Sequence, residues 1–339
     1  MRRLTLAAPF VIAVFASVSA QTKIPPEQDF LFVVGDKASA FQTALGEAAA
    51  GGLEAVLAAG QGLLMTRSAT ASTWTYKPIL SNISSFENEL NAAGAQGFAA
   101  LPSTLTKAGD QPFVIMRRAP NDADPRAYRV LERDDAFENK IADLASKGFS
   151  TIGVFAHLSG MAARLGRPGR LYAVLQAGGG QPVAASQFRV VSTMRTSTME
   201  KEINEAAAEE YRVLGSALMN VFLMNGGDGS AKYSYRLIGA TRGSTLAKEI
   251  QQAGEDGYRL MPSTIMGNPS ARAETVLLME RASASKSYDY DFVDPKSKTA
   301  ALELAIQRKN GLSPVAILSP VAVGFGINGP YSIVFEKER

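Results

Sequence analysis

Apolar residues recur along this chain in a thirteen-residue frame that appears six times. Its last residue is Leu53, Phe98, Phe149, Tyr211, Tyr258 or Leu312; twelve positions earlier stands Phe41, Phe86, Phe137, Met199, Leu246 or Ala300, and eight earlier Leu45, Leu90, Ile141, Ile203, Ile250 or Leu304. Steps of four and then three, as in Phe86, Leu90 and Ala93, put one apolar stripe on a helix. Gly52, Gly97, Gly148, Gly257 and Gly311 precede the frame end in five copies, where a left-handed cap stops a helix at least steric cost; the fourth copy has Glu210. Runs rich in aromatic and β-branched residues come before each helix: Phe30 to Val34, Trp74 to Leu80, Tyr128 to Leu131, Phe188 to Val191, Tyr233 to Ile238 and Tyr288 to Val293. Three residues past the frame, Val56, Leu101, Ile152, Leu214, Met261 and Val315 predict a second strand facing a core. A third apolar segment follows in each copy, such as Leu63-Leu64-Met65 or Leu277-Leu278-Met279.

The pattern predicts an α+β protein of six tandem β-α-β-β units, the last two strands of each forming a hairpin. A right-handed crossover makes strands one and two parallel and leaves strand three to lie between them. One unit of about fifty residues barely offsets its chain entropy by burial, so the units are expected to pack on one another through shared sheets or helix faces. A longer period predicts that copies four to six repeat copies one to three: Gly94 to Thr104 parallels Gly254 to Thr264, Pro-Ser-Thr included. The expected organisation is a first half over 30–177, a Gly-rich linker over 178–187 and a second half over 188–339. The stretch from Phe86 to Phe98, with the strand before it and the hairpin ending at Arg118 after it, resembles the domain-of-unknown-function 4177 family of short β-α-β-β domains, and copy five shares the pattern. That resemblance implies the fold and no activity.

Arg2-Arg3, the mostly apolar Leu4 to Val18 and the small residues Val18-Ser19-Ala20 read as a signal peptide over 1–20, followed by a mature segment over 21–29. A periplasmic or secreted protein is expected, without a transmembrane segment once the leader is removed, since the apolar run is shorter than a bilayer helix. Lys and Arg number 35 against 32 Asp and Glu, a net +3, and loss of Arg2 and Arg3 leaves the chain nearly neutral. Nucleic acid is therefore not an expected partner. The absence of Cys excludes disulfides, thiolate metal sites and a cysteine nucleophile.

Ser103, Thr104, Ser263 and Thr264 are the repeated hydroxyls; they fit either a polar ligand or hydrogen bonds to a turn after Pro102 and Pro262. Arg67, Arg118, Arg281 and Lys337 occupy matching places at the ends of the third strands, where they either line an anion-binding surface or lay their stems on the sheet with their charge in water. His157 near Ser159 has no repeated counterpart, and Arg164, Arg167 and Arg170 form one basic hairpin. With one His and no Cys, no metal site is expected. The acidic clusters Asp122-Asp124 and Asp289, Asp291, Asp294 lack calcium-loop spacing. Gly324 to Gly329 matches a dinucleotide fingerprint but leads into Pro330 and a strand, so no cofactor is expected. Repeated core positions without a repeated catalytic set favour a non-enzymatic binding or scaffold module of the cell envelope, with an unknown protein or small-molecule partner. An envelope hydrolase using Ser103 or Ser263 at a repeat junction is the alternative.

Overall fold

The computed structural model describes residues 29–35, 37–67, 74–108, 110–157, 169–178, 187–225, 232–268, 274–283, 286–318 and 332–339. The expected leader, most of the 178–187 linker, Ser159, Arg164, Arg167 and the Gly324 to Gly329 loop lie outside them.

The fold is α+β. Sheet 1 holds β1 (Phe30–Val34), α1 (Ala38–Ala50), β2 (Leu53–Ala59) and β3 (Gly62–Arg67). Sheet 2 holds β4 (Thr75–Leu80), α2 (Ile83–Gly94), β5 (Ala99–Ala100), β6 (Thr106–Ala108) and β7 (Gln111–Arg118). Sheet 3 has β8 (Ala127–Glu132), α3 (Phe137–Ser146), β9 (Ser150–His157) and β10 (Arg170–Ala177). Sheet 4 has β11 (Phe188–Ser192), α4 (Thr196–Ala208), β12 (Tyr211–Ala217) and β13 (Asn220–Asn225). Sheet 5 contains β14 (Tyr233–Ala240), α5 (Gly243–Glu255), β15 (Arg259–Leu260), β16 (Met266–Asn268) and β17 (Glu274–Ala282); sheet 6 contains β18 (Tyr288–Val293), α6 (Ala300–Lys309), β19 (Ser313–Leu318) and β20 (Ser332–Glu338). In every sheet the last strand lies between the first strand and the strand or strands that follow the helix, and is antiparallel to each of them, as expected.

The helix ends follow the frame. Gly52, Gly97, Gly148, Gly257 and Gly311 all have φ between 79° and 86°, and Glu210 adopts φ 68° at the same place without the glycine. The amide of the frame-ending residue reaches back to the helix, Phe98 to the Ala93 carbonyl and Tyr258 to that of Ala253. No helix among the described residues is long and apolar enough to cross a membrane.

The sheets do not merge with one another; they share hydrophobic cores. Phe113 and Ile115 of β7 pack with Phe41, Leu45 and Leu63 of sheet 1, while the alternating Val114 and Met116 pack with Phe86 and Leu90 of their own helix. Each middle strand is thus covered on both faces, which is why its sequence is a continuous apolar run. The same sharing joins sheets 2 and 3, 3 and 4, 4 and 5, and 5 and 6. A sixth cluster joins Leu304, Ile333 and Phe335 of sheet 6 to Phe30, Leu57 and Leu64 of sheet 1. The contacts therefore close into a ring, reinforced where Asp29 pairs with both Arg308 and Arg67.

The second strands meet one another around the inside of this ring, sheet 1 touching sheet 6 as well as sheet 2. The apolar residue three past the frame faces a core in most copies, as expected: Leu101 is buried, and Val56, Ile152, Met261 and Val315 pack against core clusters. Val56, Ile152, Leu214 and Val315 have no register partner, because each is the extra residue of a β-bulge, and they are half-buried. A bulge bends an edge strand and increases its twist, as six edges converging on one hub require. In sheets 2 and 5 a 3-10 turn, Pro102–Thr104 or Pro262–Thr264, interrupts the strand immediately after Leu101 or Met261.

Candidate functional site

The joints between sheets carry a recurring polar device. Tyr76, Tyr128, Tyr235 and Tyr290, one from the first strand of sheets 2, 3, 5 and 6, each accept a hydrogen bond from a second-strand amide of the preceding sheet: Ala55, Ala100, Val213 and Leu260, at 2.8–3.2 Å. An edge amide that would otherwise be buried unpaired is thereby satisfied. Side chains of the preceding helix cover the first strand from outside. Asn91 brackets the backbone of Tyr128, Asn204 that of Tyr235, and Glu87 and Glu200 accept the amides of Val130 and Leu237. Gln42 donates to the Tyr76 carbonyl, and Gln251 accepts the Tyr290 amide.

The joints of sheet 3 with 4 and of sheet 6 with 1 lack this device. The tyrosine position holds Phe188 or Phe30, and the helix position of Asn91 and Asn204 holds Ala142 or Ala305. At the second of these joints the matching second-strand residue is Pro314, which has no amide to satisfy.

In sheets 4 to 6 the tyrosines extend into ion-paired triads. Arg212 of β12 donates through Nε and Nη2 to Glu280 of β17 at 3.0 and 2.8 Å, and the Tyr235 hydroxyl donates to the same carboxylate at 2.8 Å. Arg259 of β15 donates through Nε to Glu336 of β20 at 2.8 Å, which also receives the Tyr290 hydroxyl at 2.9 Å. The carboxylates are deep, with side chains 12% and 6% exposed, while the guanidinium arms are 55% and 60% exposed. Each guanidinium also lies against an aromatic ring, Arg212 on Tyr233 at 4.5 Å and Arg259 on Tyr288 at 5.9 Å. Burial first, and then the neighbouring carboxylate, raise the pKa of Tyr235 and Tyr290, so both remain protonated donors. The hydrogen bond to Glu280 raises that of Arg212; for Arg259 burial opposes the charge, and the Glu336 carboxylate outweighs it.

These two arginines stand in the wall of a cavity of about 310 Å³ between sheets 4, 5 and 6. Glu280 and Ser263 are its other polar wall residues, and Leu260, Met261, Pro262 and Val315 make up the apolar part. Sheets 1 to 3 repeat the backbone of this place with different chemistry. Glu54 and Ala99 replace the arginines, and Arg117 and Gln176 replace the glutamates. Arg117 there lies on the Trp74 ring at 4.3 Å, and Glu54 Oε1 is buried without a hydrogen-bond partner.

The residues singled out in the sequence fall into three groups. Thr104 and Thr264 are fully buried; each donates to the carbonyl three residues back, Leu101 or Met261, at 2.7 Å and accepts the amide of Ile115 or Leu278 at 2.9 Å. Ser103 and Ser263 are exposed and donate to the carbonyls of Val56 and Leu214, the bulged residues of the preceding sheet. Arg67, Arg118 and Lys337 cap helix C-termini, donating to the carbonyls of Gly51, Gln96 and Asn310 at 2.8 Å, where a cation complements the helix dipole. Arg281 lies on the Tyr258 ring and donates to Ser234. Only Ser263 of these eight lines the cavity. Asp122 pairs with Arg126 and Asp289 with Arg339, and no metal-binding cluster exists among the described residues.

Arg212, Arg259, Glu280 and Glu336 were not singled out by sequence reasoning. Strand alternation was the available signal: the cations at 281 and 337 follow the middle strand outward, so the residue before each points the other way, toward the joint. Comparison with protein-family models, curated proteins and solved structures returns no match.

Proposed function

We propose that this chain is a non-enzymatic binding or scaffold module of the cell envelope, exported by its leader, whose recognition surface is the inner rim of the ring at sheets 4 to 6. The observation that carries this reading is the pairing of open, rigidly held guanidiniums with an apolar wall in one cavity, a combination suited to holding a ligand. The Ser103 and Ser263 hydroxyl protons are donated to backbone carbonyls, which supports positioning over nucleophilic chemistry.

The chain is further read as six tandem β-α-β-β units in two halves, 30–177 and 188–339, with the second and fifth units related to the domain-of-unknown-function 4177 family. The support is the arrangement of the joints. Tyrosine-sealed joints fall within each half, the two plain joints fall between the halves, and the 3-10 turn sits at the middle unit of each.

Affinity capture from envelope extract tests the function, using the mature chain and a folded variant with Arg212→Gln and Glu280→Gln. Loss of captured material in the variant supports the reading; capture unchanged by the substitutions removes the rim as the recognition surface. Hydrolysis of a simple ester that is abolished by Ser263→Ala would establish the hydrolase instead. Recovery of the chain in the cytoplasmic fraction would overturn the export assignment.

A further inference from the structure

We propose that the cavity between sheets 4, 5 and 6 takes a small monocarboxylate carried on an apolar body; this deepens the binding-module reading and rests on it. The head-group preference follows from the two guanidiniums. Arg212 spends Nε and Nη2 on Glu280, and Arg259 spends only Nε on Glu336; among the described residues no protein acceptor takes the remaining N–H groups of these half-exposed, cavity-lining arms. Each arm is held at its base by a carboxylate and on its face by a tyrosine ring, which removes much of the side-chain freedom that a ligand would otherwise have to restrict. A planar fork presented this way matches a carboxylate edge.

Charge decides against two competitors. Glu280 lines the same cavity, and the two arginines are balanced by Glu280 and Glu336, so the site has no surplus positive charge with which to hold a dianion. A phosphate monoester would bring a second negative charge toward Glu280. A cation fares worse, because both Glu280 oxygens already accept hydrogen bonds, from Arg212 and from Tyr235. Leu260, Met261, Pro262 and Val315 then provide contact for an alkyl or aromatic body. The corresponding place in sheets 1 to 3 retains Leu101, Pro102 and Ser103 but has Glu54 and Ala99 in place of the cations, so one such site is expected per chain.

Isothermal titration of the mature chain with octanoate, octyl phosphate, octylamine and acetate tests the proposal. Octanoate should bind saturably at one site, octyl phosphate and acetate more weakly, and octylamine not at all. Arg259→Gln combined with Glu336→Gln should weaken octanoate by about tenfold or more, the loss of one charge-assisted contact. That pair leaves no buried charge behind, and the neutral arrangement already exists in the chain, where the Tyr128 hydroxyl donates to Gln176. Should the pair fail to fold, Arg259→Lys keeps the ion pair but removes the planar fork, and it too should weaken binding. No heat from octanoate at about 10 mM, far above a millimolar Kd, overturns the proposal, as does an affinity unchanged in these variants or equal binding of octylamine. Such failures remove the ligand class alone; the module reading falls only with the capture experiment.

Discussion

Replacing Tyr290 by Phe removes one oxygen from the joint between sheets 5 and 6 and leaves two buried groups short of a partner. The hydroxyl accepts the Leu260 amide at 2.8 Å and donates to Glu336 at 2.9 Å, in a place where Tyr290 is 7% exposed. An orphaned buried amide costs about 1–3 kcal/mol, and a lost hydrogen bond to a charged group about 1.5–3 kcal/mol. Arg259 still pairs with Glu336, and Phe avoids burying a hydroxyl, so the smaller ends of these ranges apply and the sum is about 2.5 kcal/mol. Tyr128→Phe removes the same amide acceptor, but its donor bond goes to neutral Gln176, so its expected cost is lower, about 2 kcal/mol. Urea denaturation followed by far-UV circular dichroism reads both values, provided the slope is unchanged between variants. The converse substitution, Phe30→Tyr, places a hydroxyl opposite Pro314, which offers no amide, and should destabilise as well. If Tyr290→Phe costs less than about 0.5 kcal/mol, within the range of an ordinary surface change, the tyrosines are not what seals the joints.

Three further outcomes follow from the same contacts. Gly254→Ala puts a Cβ 2.5 Å from the Tyr288 carbonyl and 2.7 Å from the Tyr290 ring, so the helix must move off the next sheet and the thermal midpoint should fall steeply; Gly148→Ala meets nothing within 4 Å and should cost only the left-handed penalty of about 1 kcal/mol, and equal midpoints for the two would refute the close packing. Thr264→Val keeps the shape but orphans the Leu278 amide and should cost about 1–3 kcal/mol by chemical denaturation, a neutral result showing that the hydroxyl is not needed to hold the turn. Burial pushes the Tyr76 and Tyr128 hydroxyls up to about 12 from 10.0. Because the folded value is the higher one, their stabilisation is complete below pH 10 and is lost as pH rises toward 12, on the order of 2–3 kcal/mol each. A urea midpoint that stays flat between about pH 8 and about pH 11 would contradict this.

Local chemistry was legible in the sequence because it depends on neighbours in the chain. The helix stripe Phe86, Leu90, Ala93 and the glycine after it specify a helix and its stop, and the spacing of the following runs specifies a crossover and hairpin. These interactions span a few residues, so periodicity records them directly. The same logic missed the bulges at Val56, Leu214 and their counterparts. Their apolar character reads as a strand residue against a core, and Val56 does pack there, but each is also an extra residue without a register partner. No local pattern distinguishes a strand residue that points inward from one left out of register.

The site was illegible for a related reason. Arg212 meets Glu280 across 68 positions, and Arg259 meets Glu336 across 77. Each is an ordinary surface residue until a neighbouring sheet brings its partner. Ser103, Thr104, Ser263 and Thr264 were conspicuous because they repeat, and they repeat because they tie one sheet to another or hold a turn. The sequence alone determined the α+β character and where the helices lie and end. Tertiary structure decided that the contacts close on themselves and that two arginines share one cavity. Both depend on contacts between residues far apart in the chain, whose geometry is set only when every sheet has buried both of its faces.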